Sequence, residues 1–305
     1  KSLIIKNLAL PLCGNNNIAF SKIEIFKRNN KKISSKIIDI NSINKLKKVE
    51  QIKIKKDLKK ITLRRKNFLK NVNFSSPSIM GILNMTPDSF SDGGKFNTKK
   101  KSFLHISKMV KCGADIIDVG GESTRPGSKN IDSKVEWKRI KEVIVNFKKK
   151  YKKCCLSIDT RKSELMTRSL VYGVDLINDV SGFDYDKNSL SKLKKYNVPK
   201  VLHHMKGTPD TMQNNPKYQN VLLDIYDFFE KKINDNRTEK KFILDPGIGF
   251  GKTLKHNLTL ISKISLFHTL GFPVMIGTSR KRFISQISGE YDSKYRTGGT
   301  LASVL

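Results

Sequence analysis

From Ile79 onward the chain alternates short apolar runs with longer helical patterns, and this alternation limits the folds open to it. Strand-like runs begin near Ile79, Asp115, Cys154, Asp175, Lys200, Phe242 and Pro273. Helical patterns separate them over Lys99–Cys112, Val135–Lys150, Lys162–Tyr172, Leu190–Tyr196, Val221–Asn236, Leu258–Ile264 and Lys281–Ile287, and a further helix starts near Gly298. Repeating strand-then-helix units of ~20–40 residues build a parallel sheet, because each helix carries the chain back across the sheet before the next strand. Seven such units predict an α/β fold of the TIM (β/α)8 barrel type, with the eighth strand absent from the chain, rather than an open sheet.

Each apolar run ends in polar residues. The first delivers Asn84-Met85-Thr86-Pro87-Asp88-Ser89-Phe90-Ser91-Asp92-Gly93-Gly94, which is too polar to bury and is broken by Pro87 and the paired glycines. The second ends in Asp118 to Gly127, the third in Ser157-Ile158-Asp159-Thr160, the fourth in Asn178-Asp179 and the fifth in His203-His204-Met205. The sixth ends in Asp245 to Lys252 and the seventh in Gly277 to Lys281. One polar ending is an ordinary helix cap. Six or seven together describe the mouth of a barrel active site, since such barrels keep their chemistry at the C-terminal ends of the strands.

The residue types narrow the ligand. Asp159, Asn178 and Asp245 can pair with the donor and acceptor edge of a flat heterocycle. Arg125 and Lys281, with an Asn carboxamide, suit an anionic, phosphorylated substrate accompanied by a hard cation. Other motifs fail on inspection. A phosphate-binding P-loop ending at Gly251-Lys252-Thr253 needs glycine where Pro246 stands. His203 and His204 are neighbours on a strand and point to opposite faces, so they are not expected to share a metal.

Residues 1–74 form a basic segment read as a separate appendage of two or three strands and a helix, with 75–305 as the barrel. Short β-like runs occupy Ile23–Phe26 and Ile37–Ile40, a helical pattern follows between Lys45 and Lys70, and Asn73 to Pro77 reads as a linker. The formal charge of +33 raises nucleic acid as a partner. However, 20 basic against 4 acidic residues already lie within 1–74, and the later lysines are not interleaved with aromatics for base stacking. Nucleic acid is therefore not expected, and the Lys, Asn and Ile enrichment matches an AT-rich coding sequence. The four cysteines have no metal or disulfide spacing, and no apolar run approaches the ~18 residues of a membrane span. A cytoplasmic protein with no membrane partner is expected.

Seven ordered motifs over residues ~78–305 closely resemble dihydropteroate synthase, the pterin-binding barrel family of folate synthesis and a sulfonamide target. They are Asn84–Gly94, Gly120–Gly127, Ser157–Thr160, Asn178-Asp179, His204-Met205, Asp245–Lys252 and Ser279-Arg280-Lys281. The resemblance implies that p-aminobenzoate displaces diphosphate from 6-hydroxymethyl-7,8-dihydropterin diphosphate to give 7,8-dihydropteroate. It further implies that Thr124, Asp159, Asn178, Met205, Asp245, Phe250 and Lys281 hold the pterin diphosphate. Phe90, Thr124, Pro126 and Ser279 are implied on the p-aminobenzoate side, Asn84 as the Mg2+ ligand, and Asp92, Arg125 and Lys281 as catalytic groups. The family's last strand carries an Arg-x-His element that the chain does not reach before Leu305, so a fragment of a longer product, homodimeric when full length, is expected. Two other readings stand beside this one: a pterin-dependent methyltransferase, and a non-catalytic basic protein binding nucleic acid through residues 1–74.

Overall fold

A computed structural model describes residues 2–29, 32–86 and 98–305. Its largest element is a sheet of six parallel strands: β5 (Met80–Asn84), β6 (Ile116–Gly120), β7 (Cys155–Asp159), β8 (Leu176–Asp179), β9 (Lys200–His203) and β10 (Phe242–Asp245). Their order in the sheet is their order in the chain. That is the signature of a barrel wall, in which each crossover adds the next strand on the same side. All residues of β6, β9 and β10 are buried, as are the first four of β7. Strands covered by helices on one face and barrel core on the other cannot alternate in polarity, and so appear in sequence as continuous apolar runs.

The helices between them start where the local chemistry favours it. Asp132 caps α4 (Ser133–Lys150) by accepting from the Lys134 N–H, and Asn220 caps α7 (Val221–Asp235) by accepting from Leu222 and Leu223. Before α8 (Leu254–Ser262), Thr253 and His256 bond each other's backbone N–H groups as a reciprocal capping box. This helix therefore begins at Leu254, ahead of the expected Leu258. The remaining helices of this unit are α3 (Thr98–Lys111), α5 (Ser163–Leu170), α6 (Ser189–Lys194), α9 (Arg282–Ser288) and α10 (Thr297–Ala302).

The expected strand at Pro273 is reduced to a single bridge. Val274 pairs in parallel with Leu244, held by Leu244 N–H to Pro273 O at 2.9 Å and Met275 N–H to Leu244 O at 2.8 Å. The chain beyond, to Thr278, forms no strand, so the seventh expected strand is corrected to one ladder position.

The chain divides into two compact units. The smaller comprises Lys1–Lys66, Phe74–Pro77 and Ser265–Phe272, and the larger the remainder, including Asn67–Asn73. In the smaller unit β1 (Leu10–Leu12) pairs antiparallel with β2 (Asn15–Phe20), and β3 (Lys22–Asn29) with β4 (Lys32–Asp39). These precede the helix α2 (Lys48–Thr62); a one-turn helix, α1 (Ser2–Ile5), leads the chain. Four strands thus replace the expected two or three. Buried Arg65 ties the unit together, donating to the Lys60, Leu63 and His268 carbonyls. Among the described residues no helix is long and apolar enough to cross a membrane.

Candidate active site

Sheet register assembles the first half of the site. Asp159 at the end of β7 stands opposite Gly120 of β6 on one side and Asn178 of β8 on the other. A Cβ on Gly120 would lie 3.4 Å from the Asp159 carboxylate oxygen, so the missing side chain leaves that carboxylate room. Two residues earlier on β6, buried Asp118 accepts a 2.8 Å hydrogen bond from the Asn178 carboxamide N–H. Burial raises the Asp118 carboxyl, although Ser157 and Asn178 offset part of the rise. Asp159 is raised well above the usual carboxylate range by burial and then by the negative charges of Asp118, Glu136, Asp179 and Glu122. Like charges gathered this closely favour keeping a proton among them.

Loop packing assembles the second half. Buried Asp245 ends β10 beside His203, and its Oδ1 accepts from the Gly247 N–H at 2.8 Å. The following loop is held by its carbonyls. Lys281 donates to Ile248 O, Gln213 to Gly249 O, Lys252 to Phe250 O and Tyr218 to Gly251 O, the last three at 2.9 Å. Four successive carbonyls held by side chains, three of them from outside the loop, leave it little freedom. Gly247 occupies the left-handed region at φ 70°, and a Cβ there would lie 2.0 Å from His204 O.

Phe250, held by this loop, meets the edge of His203 at 4.7 Å and has the Lys281 ammonium 4.6 Å from its ring centroid. Burial lowers the Lys281 ammonium to about 8, partly opposed by Asp245. Lys252 is buried as well, 3.2 Å from His204 Nδ1, and burial holds it well below the usual lysine range. His203 is driven to about 4 by burial, so near neutrality its ring is uncharged, with Nδ1 2.8 Å from Val180 O. A neutral imidazole facing a carbonyl must carry its proton on that nitrogen.

A third cluster anchors the loop after β6. Glu122 takes two contacts from Arg161, at 2.8 and 3.1 Å, and accepts from the Ile131 N–H at 3.0 Å. Lys162 bridges Glu122 at 3.2 Å and buried Glu136 at 2.6 Å. Burial pushes the Glu122 carboxyl up, but the Ile131 N–H, Arg161 and Lys162 prevail and hold it below its ordinary value. Arg161 also stacks over Tyr185, 4.4 Å from the ring centroid. Both ends of the loop carrying Thr124, Arg125 and Pro126 are thereby tied down. Thr124 is half-buried, and Arg125 and Pro126 are exposed.

The fold thus brings Asp159 together with Asn178, and Asp245 with Phe250 and Lys281, at the C-terminal end of one sheet. Met205 follows β9, half-buried, and Asn84 lies exposed at the end of β5. Ser279 is exposed just before Arg280, whose φ is 56°. Phe90 and Asp92 lie outside the described residues. Among the described residues no group of three or more His, Cys, Asp or Glu side chains gathers as a metal site, and this includes His203 and His204. Asp118, Glu122 and Lys252 lie within the polar strand endings, but neither they nor Arg161 were expected to have individual roles. The one available signal for Asp118 was a carboxylate inside an otherwise apolar strand.

Comparison with known proteins matches this geometry. The pterin binding enzyme family matches residues 80–305. The chain belongs to that family, among its dihydropteroate synthases. A dihydropteroate synthase from Synechocystis is 39% identical over 229 residues, covering 74% of this chain and 79% of the relative. The crystal structure of Yersinia pestis dihydropteroate synthase with a sulfonamide drug complex superposes with a TM-score of 0.71 at 37% identity, covering 76% of this chain and 85% of that one. The Xanthomonas albilineans enzyme in complex with 7,8-dihydropteroate gives a TM-score of 0.68 at 30% identity, covering 76% and 84%. The barrel-type fold expected for the family is the fold observed.

Proposed function

We propose that this chain is a transferase that joins p-aminobenzoate to 6-hydroxymethyl-7,8-dihydropterin diphosphate, forming 7,8-dihydropteroate and diphosphate. The observation that carries the reading is the pairing of Asp159 with Asn178 at the same sheet end as Asp245 and Lys281. Carboxylates, a carboxamide and an ammonium there complement the amino and amide edge of a pterin. Phe250, with its ring fixed between His203 and Lys281, and half-buried Met205 offer apolar surface for the ring faces.

In the reaction the methylene C–O bond to diphosphate breaks and a bond to the arylamine nitrogen forms, with loss of one amine proton. The dihydropterin ring can delocalise positive charge, so diphosphate can depart early. The protein then serves mainly to neutralise the leaving group and keep water from the cation. Arg125 and Lys281 suit the first task, and the tethered loop holding Thr124, Arg125 and Pro126 suits the second. Phe90 and Ser279 are assigned to the p-aminobenzoate side, and Asp92 to the cation and the amine proton.

Asn84 fits a role as magnesium ligand. Its carboxamide is exposed at a strand end, and Mg2+ keeps several waters and accepts few protein oxygens. Bound beside the diphosphate, the ion would supply charge neutralisation. The four free cysteines suit a reducing cytoplasm, and a homodimer follows from the family resemblance. Residues 1–74 are assigned as a basic N-terminal appendage to the barrel.

The test is dihydropteroate formation by the full-length protein from both substrates, with and without Mg2+, alongside calorimetric pterin binding. Product that depends on both substrates supports the reading. Pterin binding without product means that the barrel serves another pterin reaction, and a thermal shift with a corrinoid then points to the methyltransferase.

A further inference from the structure

Asn178 can present either end of its carboxamide to a ligand, and the two ends have opposite hydrogen-bonding character. Its orientation is set from below, by Asp118. That carboxylate is 2% exposed, stands opposite Ser157 in the sheet, and lies 2.8 Å from Asn178 Nδ2. An ionised carboxylate only accepts hydrogen bonds, so the nitrogen end of Asn178 must face it. The oxygen end is then turned from Asp118, and among the described residues no donor reaches it. Asn178 itself keeps partial exposure beside Asp159.

We propose that Asp118 is a positioning residue that never touches substrate but fixes Asn178 as an acceptor toward the ligand, selecting a heterocycle that offers an N–H donor there. The inference rests on the pterin reading above. It assigns a purpose to a buried carboxylate that the transfer reaction does not otherwise use. A carboxylate so deep in a barrel core is costly unless it is hydrogen-bonded, and the Asn178 N–H supplies the bond its Oδ2 receives. Burial raises its proton affinity, and Ser157 and Asn178 offset part of that rise. Only the accepting form holds Asn178 in the orientation described.

The experiment exchanges the two groups. Asp118→Asn is isosteric, but its carboxamide can meet Asn178 either way round, so Asn178 is free to turn its N–H outward. Pterin diphosphate affinity, read by calorimetry, should fall by about tenfold or more, the scale of one mispaired buried hydrogen bond. The KM for p-aminobenzoate at saturating pterin should stay within about twofold. In the double variant Asp118→Asn/Asn178→Asp, a carboxylate at 178 accepts from the new amide below and again presents an acceptor above. It should recover most of the lost affinity, which a merely structural role for Asp118 does not predict.

Wild-type affinity in Asp118→Asn, or a double variant no better than the single one, overturns the inference. A wild-type protein that binds no pterin overturns the functional reading, and this inference with it. Should Asp118→Asn fail to fold, the Asn178 side-chain 15N amide resonances of the wild-type protein decide. They should shift with a titration assigned to Asp118, and resonances indifferent to that titration overturn the proposal.

Discussion

The Lys281 ammonium lies 4.6 Å from the centroid of the Phe250 ring while donating to the carbonyl of Ile248 in the same loop. One side chain therefore both shapes the glycine loop and charges its inner surface. Burial brings its pKa to about 8, against ~10.4 for a free lysine. Between those values the folded protein binds fewer protons than the unfolded chain, so this group makes stability rise with pH from about 8 upward. Affinity should move the other way. The ammonium is lost as pH passes about 8, and calorimetric titrations from pH 6.5 to 9.5 should show weakening pterin diphosphate binding across that point. Lys281→Gln should bind weakly with no such step, and a flat wild-type profile contradicts the role.

His203 supplies a pH effect in the acid range. Its folded value is about 4 and its unfolded value is ~6.5. Between them the unfolded chain takes up the extra proton, so the stability due to neutral His203 is complete above ~6.5 and lost as pH falls toward 4. The full difference is about 3 kcal/mol. Asp179, raised to about 6 by burial, opposes this trend, so the comparison is between wild type and His203→Asn. The urea midpoint of the variant should therefore fall progressively further behind that of the wild type as pH rises from 4 to 6.5, and a gap that stays constant across this range contradicts the assignment.

Removal of Glu122 should be among the most destabilising single changes near the site. Its side chain is 4% exposed and pairs with Arg161, itself 7% exposed. Glu122→Ala strands a buried guanidinium, for which about 3 kcal/mol or more is expected in chemical denaturation. Glu122→Ala/Arg161→Met should lose less than the two single changes added together, because the second removes the stranded charge. Simple additivity means that the pair does not act as a unit.

Gly247→Ala tests the loop itself. At φ 70° with a Cβ 2.0 Å from His204 O, the backbone must shift away from that carbonyl. A stability loss above about 2 kcal/mol, with weakened pterin binding, is expected. Gly113→Ala provides the comparison. It also has positive φ, but no atom lies within 4 Å of its Cβ, so its loss should be limited to about 1–2 kcal/mol and leave pterin affinity unchanged.

Much of the barrel was legible because a parallel strand buried on both faces must be apolar until it ends. Five apolar runs from Asp115 to Phe242 became β6 to β10 within a residue or two, and their polar endings became Asp159, Asn178 and Asp245. Where local pattern had less hold, the expectation slipped. Pro273-Val274-Met275-Ile276 reads as a strand, yet only Val274 pairs, since pairing depends on what the neighbouring edge offers. In the smaller unit the runs Ile23–Phe26 and Ile37–Ile40 mark β3 and β4, whereas the β1–β2 pair of residues 10–20 was harder to see because its apolar residues are sparse and its exposure is mixed.

The sequence alone settled the period of the elements, the ends at which chemistry gathers and the kinds of groups found there. These are local properties of side chains and their spacing. Tertiary structure alone decided which of those groups are charged and which way they point. Asp159 is raised by carboxylates on other strands and helices, and Lys281 is lowered by burial against a distant loop. Asn178 is oriented by a carboxylate that precedes it by 60 residues. Proton affinity and amide orientation are sums over neighbours in space, and the chain becomes specific about them only once the sheet has brought those neighbours together.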